Sequence, residues 1–225
     1  LTPHDLYDHD LQDPPILTTV KGKPAVIAAG KSGIVIALNR ETGKLIWKRP
    51  VGTHNGHDND NLYAMRHEYS KLKLPETIFP GLLGGVIAPM ATNASTVFVP
   101  VVNLPVSYSS QTSQQEGGAG TGGELVALDL ETGAVKWKHE FAAPAFGAAT
   151  AVNDVVFTTS SDGTLYAFDA TNGGVLLETK LPAGSNTGVA VAGNTVLVPA
   201  GLAQSESQTP ELVAYRLGAS GSGEH

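Results

Sequence analysis

The chain has 225 residues, 41% hydrophobic and 16% charged, with a formal net charge of −7 and no cysteine. That composition excludes a largely disordered chain, disulfides and cysteine-ligated metals. The 14 Lys and Arg are scattered through turns, which argues against nucleic-acid binding. No apolar run nears the ~20 residues that a membrane-crossing helix needs. With 26 Gly and 14 Pro against 6% aromatic residues, short strands and tight turns are favoured over helices, and the fold class expected is all-β. The chain begins at Leu1 with neither a Met nor a leader, and is expected to be processed or cut from something longer.

Residues 1–13 are polar and rich in His and Asp. Ile16–Val20 and Ala25–Ala29 then read as two strands around a turn at Gly22. The next stretch, Gly30 to Trp47, spells a complete hairpin. Ile34, Ile36 and Leu38 alternate with Val35, Ala37 and Asn39 along one strand. Asn39-Arg-Glu-Thr-Gly43 supplies a type I turn with a left-handed glycine, and Lys44 to Trp47 returns. The same phrase recurs in Ala127-Leu-Asp-Leu-Glu-Thr-Gly133 leading to Trp137, and in Ala167-Phe-Asp-Ala-Thr-Asn-Gly173 leading to Leu177. A repeated hairpin of this kind is the mark of a propeller or array.

Four blades follow from the repeat, at about 14–51, 84–141, 147–181 and 188–217, with a polar tail at 218–225. A polar insertion, 53–80, separates the first two and reads as a functional or capping excursion. Blade two is expected to open with a strand at Gly84–Met90 and to be broken by a flexible Ser/Gln/Gly-rich loop, Ser107–Gly123. Blade three runs without insertions, and blade four lacks its last strand. Trp47 and Trp137 fit as wedges, each ring docking on the Ala-x-Asp-x-x-Thr-Gly turn of the next blade with its indole N–H on a backbone carbonyl. At Leu177 the apolar wedge stays and the hydrogen bond is lost.

His4, Asp5, Asp8, His9 and Asp10 are metal-ligand types, yet their spacing matches no closed zinc or calcium loop, and a structural segment is the reading preferred. His54-Asn-Gly-His57-Asp-Asn-Asp60 could hold a divalent ion, but Asn/Gly/Asp runs are also what turns are made of. His67 and Glu68 decide nothing. No Gly-x-Ser-x-Gly elbow, phosphate loop or paired-carboxylate site stands out, so no catalytic residue and no metal ligand is assigned.

The repeats and their order resemble the pyrroloquinoline quinone (PQQ) dehydrogenases, the quinoprotein alcohol dehydrogenases. Thr2-Pro-His-Asp-Leu-Tyr-Asp-His-Asp10 is similar to the family's Thr-Pro-His-Asp-x-Trp-Asp-Tyr-Asp. Lys31-Ser-Gly33 through Arg40-Glu-Thr-Gly43 is similar to its Lys/Arg-Asn-Gly…Asp-Arg-x-Thr-Gly, and Leu83–Asn103 and Asp154–Gly163 match in order. The resemblance implies a β-propeller of four-stranded W-shaped blades, this chain being the C-terminal half of an eight-bladed ring. It implies PQQ and calcium as cofactors and a periplasmic or secreted setting. The catalytic aspartate and calcium ligands would lie in an N-terminal half. Lys31 matches the cation aimed at the quinone carbonyls, and Asn103 an asparagine that hydrogen-bonds the cofactor. Where the family usually carries a Trp near the cofactor, this chain has Phe146-Gly-Ala-Ala.

Two functions stay open: half of an alcohol-oxidising enzyme, or a PQQ-like propeller without cofactor that binds a protein or ligand. A half ring would leave its end blades uncovered, so the expected partner is the N-terminal half or a second copy of this chain.

Overall fold

The hairpins close for reasons local to the sequence. In the computed structural model, which describes residues 8–56, 74–110 and 113–218, the Asn39 side-chain oxygen accepts from the N–H of Thr42 at 2.9 Å and Gly43 takes φ +66°. Asp129 does the same for Thr132 at 2.9 Å with Gly133 at +69°, and Asp169 for Asn172 at 3.1 Å with Gly173 at +76°. A short acceptor at the first turn position and a residue free to go left-handed at the last are what this turn needs.

Each turn joins the two outer strands of an antiparallel sheet. β1 (Ile16–Val20), β2 (Lys23–Ala28), β3 (Ile34–Asn39) and β4 (Leu45–Pro50) make the first, in that order. After β5 (Glu76–Ile78), the second is built from β6 (Ala91–Thr92), β7 (Thr96–Asn103), β10 (Gly122–Asp129) and β11 (Val135–Phe141), in the order β11-β10-β7-β6. The third consists of β12 (Thr150–Val152), β13 (Val155–Thr159), β14 (Thr164–Asp169) and β15 (Val175–Lys180). β16 (Ala190–Ala192), β17 (Thr195–Ala200) and β18 (Glu211–Arg216) form a three-stranded fourth sheet. No helix occurs among the described residues.

The outer hairpins share one irregularity. The register shifts between Ala37 and Leu38, Ala127 and Leu128, and Ala167 and Phe168, leaving Ala37 opposite Trp47, Ala127 opposite Trp137 and Ala167 opposite Leu177. This bulge re-aims the wedge residue while a methyl group opposite leaves room for it. The Trp47 indole N–H donates to the Leu130 carbonyl at 3.0 Å, and that of Trp137 to the Ala170 carbonyl at 3.2 Å. The rings lie so close to the next turn that a Cβ on Gly133 would stand 2.5 Å from Trp47, and one on Gly173 2.7 Å from Trp137.

The hydrophobic core lies between sheets. Val35, Ala37 and Trp47 of the first pack on Val97, Val99 and Leu128 of the second; Phe98, Leu125 and Ala127 meet Val156 and Phe168 of the third; Leu165 meets Val198 and Ala200 of the fourth. Trp47→Phe keeps most of this contact but strips the buried Leu130 carbonyl of its donor. A loss of about 1–3 kcal/mol is expected in a denaturant titration, and a smaller one for the half-buried Trp137→Phe.

Two expectations are corrected. Gly84–Met90 is not a strand: only Gly85 bridges to Val102, and the inner strand is the short β6. The supposed loop Ser107–Gly123 contains most of a hairpin, β8 (Val106–Ser110) with β9 (Ser113–Glu116), and β5 from the insertion adds a third strand beside β8. Ile78 and Val106, fully buried under Leu82 and Tyr108, give this polar sheet the apolar face it needs.

Candidate functional site

Lys31 sits on the connection between β2 and β3, and its position is fixed by close backbone approaches. Its N–H donates to the Asp10 carbonyl at 2.9 Å, and Val86 N–H donates to the Gly30 carbonyl at 3.0 Å. A Cβ on Gly30 would fall 2.1 Å from the Asp10 oxygen, and one on Gly85 2.2 Å from the Lys31 oxygen. Only glycines allow the segment after Asp8 to cross blade one and the start of blade two to press against it from the other side.

The Lys31 side chain is 4% exposed. Its ammonium is hydrogen-bonded to the Asp8 carboxylate, and reaches the Asp10 carboxylate at 3.3 Å. Burial works to lower the ammonium's pKa, but these two carboxylates outweigh it and the value is raised, so the group is held as a cation. Asp8 is correspondingly pulled below the usual carboxylate range, first by its hydrogen bond to Lys31.

Asn103 ends β7. Its side-chain oxygen accepts from Thr53 N–H at 2.8 Å. It lines a polar groove of about 290 Å³ with Gly52, Thr121, Glu124, Lys138 and Glu140. Lys31 and Asn103 are linked through Gly85, whose oxygen accepts from Val102 N–H at 2.8 Å. No hydrogen bond joins their side chains.

The structure adds carboxylates that sequence reasoning passed over. Glu116, at the end of β9, accepts from Leu82 N–H at 2.7 Å while its other oxygen is buried without a partner. Burial raises its pKa, opposed by the Leu82 and Leu83 amides and by the charge of Lys31. Glu124, 4% exposed, accepts from Gly52 N–H at 2.7 Å and binds Lys138 at 3.3 Å. Asp13 is 9% exposed, one of its oxygens has no partner, and burial pushes its carboxyl up to about 7. A lone acid in a polar segment carries no sequence signal that it will be buried.

His54 is described, with Nε2 against the Val51 carbonyl at 2.9 Å. His4, Asp5, His57, Asp58, Asp60, His67 and Glu68 lie outside the described residues, and among those described no three His, Asp or Glu converge to hold a metal. No described helix is long and apolar enough to cross a membrane. Phe146 is half-buried.

Antiparallel sheets stacked through an inter-sheet core, the first two each wedging an indole onto the next turn, define part of a β-propeller. Residues 88–217 match the PQQ-repeat family described as outer membrane protein assembly factor BamB. Residues 1–57 match the one described as the β-propeller domain of glucose, ethanol and alcohol dehydrogenases. The quinohemoprotein alcohol dehydrogenase of Comamonas testosteroni is 29% identical over 88% of this chain and 32% of its own length. The polyvinylalcohol dehydrogenase of a Pseudomonas species is 29% identical over 76% of this chain and 23% of its own. Among solved structures, the Comamonas enzyme superposes with a TM-score of 0.70 at 22% identity, covering 92% of this chain and 38% of that one. A europium-containing methanol dehydrogenase gives 0.67 at 20%, covering 87% and 40%. The chain belongs to the PQQ-dehydrogenase-like β-propeller family. It spans about a third or less of the curated relatives it matches.

Proposed function

We propose that this chain is the C-terminal half of a PQQ-dependent dehydrogenase propeller that oxidises an alcohol or related hydroxyl compound in the periplasm or outside the cell. An N-terminal half would supply the catalytic aspartate and the calcium ligands. The observation that carries this reading is Lys31, a buried side chain kept cationic. Burying an ammonium is costly unless it is paired, as it is here by Asp8 and Asp10, and a cation so held beside an electron-accepting quinone would stabilise the negative charge that develops there.

The donor set fits an oxygen-rich quinone. Two hydrogen bonds from Lys31 go to Asp8 and Asp10 and one N–H remains, while the Asn103 amide nitrogen has no hydrogen bond to a described residue. When bound, PQQ accepts the electrons taken from the substrate's C–H bond. The chain's own part is to fix a positive charge, with Asp8 and Asp10 holding the ammonium and Gly30 and Gly85 setting its height.

The same ion pairs favour a second reading. Two carboxylates already balance Lys31, so the site can be a structural pin in a propeller that binds a protein or ligand without cofactor. Titrating the complete propeller with PQQ and calcium, read by cofactor absorbance and by dye-coupled alcohol oxidation, separates the two. The enzyme reading expects saturable quinone binding that Lys31→Ala weakens roughly tenfold or more, the worth of a charge-assisted hydrogen bond. Absence of quinone binding sinks it; binding that Lys31→Ala leaves unchanged removes only Lys31 from the site.

A further inference from the structure

The sheet of β5, β8 and β9 stands outside the four blades and meets them at the turn that precedes Gly85. Gly84 N–H donates to the Gly81 carbonyl at 3.0 Å, which closes this turn with Leu82 and Leu83 at its centre. From the propeller side it is held by the Leu104 carbonyl, which accepts from Gly81 N–H at 2.8 Å. From the other side its two central amides converge on Glu116: Leu82 N–H donates to Oε1 at 2.7 Å, and the Leu83 amide donates to the same carboxylate. Successive amides turned the same way make a concavity for an anion, and a carboxylate from β9 fills it.

The turn leads straight to Lys31. Gly85 follows it, where a Cβ would stand 2.2 Å from the Lys31 oxygen, and Val86 N–H then donates to the Gly30 carbonyl at 3.0 Å. The approach is electrostatic as well as steric, because the positive charge of Lys31 acts on the Glu116 carboxyl. Titratable neighbours on its own sheet are Glu76 and Tyr108, which pair with each other across β5 and β8. The second Glu116 oxygen is buried and makes no hydrogen bond. An acceptor withdrawn from water without a donor is costly, and a purely mechanical clip would be served as well by an amide.

We propose that Glu116 is a positioning residue for the quinone site around Lys31: it clamps the Gly81–Gly84 turn against the Lys31 backbone, and its negative charge subtracts from the cation that Lys31 offers a bound quinone. The inference rests on the reading of Lys31 as a quinone contact. Burial pushes the Glu116 carboxyl up, so it takes on its charge at higher pH than an ordinary glutamate. Below that point the neutral acid leaves Lys31 its full effect. Above it, the quinone should be held less tightly.

The test uses the complete propeller and two variants. Glu116→Gln keeps an acceptor for the Leu82 and Leu83 amides and removes the charge, whereas Glu116→Ala removes both. Titrated with PQQ and calcium, Glu116→Gln should match the parent near pH 5. At pH 8 it should bind more tightly by roughly three- to fivefold, the worth of one screened unit charge several ångströms away. Asp8, His9, Asp10 and Asp13 are present in all three proteins, so their own responses to pH cancel in the ratio. Glu116→Ala should bind more weakly at every pH. Amide hydrogen exchange without cofactor reads the clamp separately: protection of Leu82 and Leu83 should fall roughly tenfold or more in Glu116→Ala and persist in Glu116→Gln. A ratio of parent to Glu116→Gln affinity that does not change with pH would overturn the proposal, as would protection that Glu116→Ala leaves intact or a Glu116→Gln variant as weak as Glu116→Ala. Failure of the parent to bind quinone at all would sink the dehydrogenase reading and this inference with it.

Discussion

Gly30→Ala is expected to destabilise the chain by about 3 kcal/mol and to release the segment carrying Asp8 and Asp10. The new methyl would stand 2.1 Å from the Asp10 carbonyl oxygen and 2.9 Å from the Leu11 Cα, both backbone atoms that cannot swing aside. Overpacking of this kind costs about 1–3 kcal/mol, and losing the hydrogen bond from Lys31 N–H to Asp10 adds about 1. For a chain of this size that is roughly 6–12 °C in Tm. The local consequence is larger than the global one. Without Asp8 and Asp10 the burial of Lys31 is uncompensated, so its pKa should fall where it is now raised. Thermal melts, with limited proteolysis around residue 10, measure both. Gly22→Ala is the control: at φ +71° with nothing within 4 Å, it bears backbone strain alone, about 1–2 kcal/mol. Equal melting of the two variants would refute the close approach as the cause.

What the sequence made legible is whatever a few neighbouring residues decide among themselves. Asn39, Asp129 and Asp169 bond to their own turns, Gly43, Gly133 and Gly173 take the left-handed position, and the tryptophans follow at a constant distance; such chemistry repeats wherever the sequence does. The hairpin β8–β9 was hidden because its stability comes from Ile78 and Leu82, far along the chain, and its own strands are mostly Ser and Gln. Gly84 and Gly85 belong to no strand because Gly85 is there to let the Lys31 carbonyl approach. Lys31 itself was singled out by a resemblance to the quinoprotein family, and nothing local announced its pairing with Asp8 and Asp10. Long-range pairs of charges leave no period in a sequence, and the same holds for Glu116 and Glu124, each held by the backbone of a distant loop.

Between about pH 4 and pH 7 the chain is expected to lose stability as pH rises, with Asp13 as the main cause. Its folded pKa of about 7 lies above the ~3.9 of an unfolded aspartate, so in that window the folded state binds the extra proton. Stability then falls with rising pH and levels off above 7, by roughly 4 kcal/mol at about 1.4 kcal/mol for each pH unit. Asp162 runs the other way in a separate window. Burial works to raise it, but Lys180, Ser160 and Thr164 hold it at about 2, so its contribution is present above pH 4 and is lost as pH falls through 2. Asp13→Asn tests the assignment because it replaces the carboxyl by an uncharged group of the same shape. Melts across pH 3–8 should show the parental decline flattened, the variant more stable than the parent at pH 8, and the two converging near pH 4. Parallel curves would mean that the unpartnered Asp13 oxygen has found a donor or water, and that its burial costs the fold nothing.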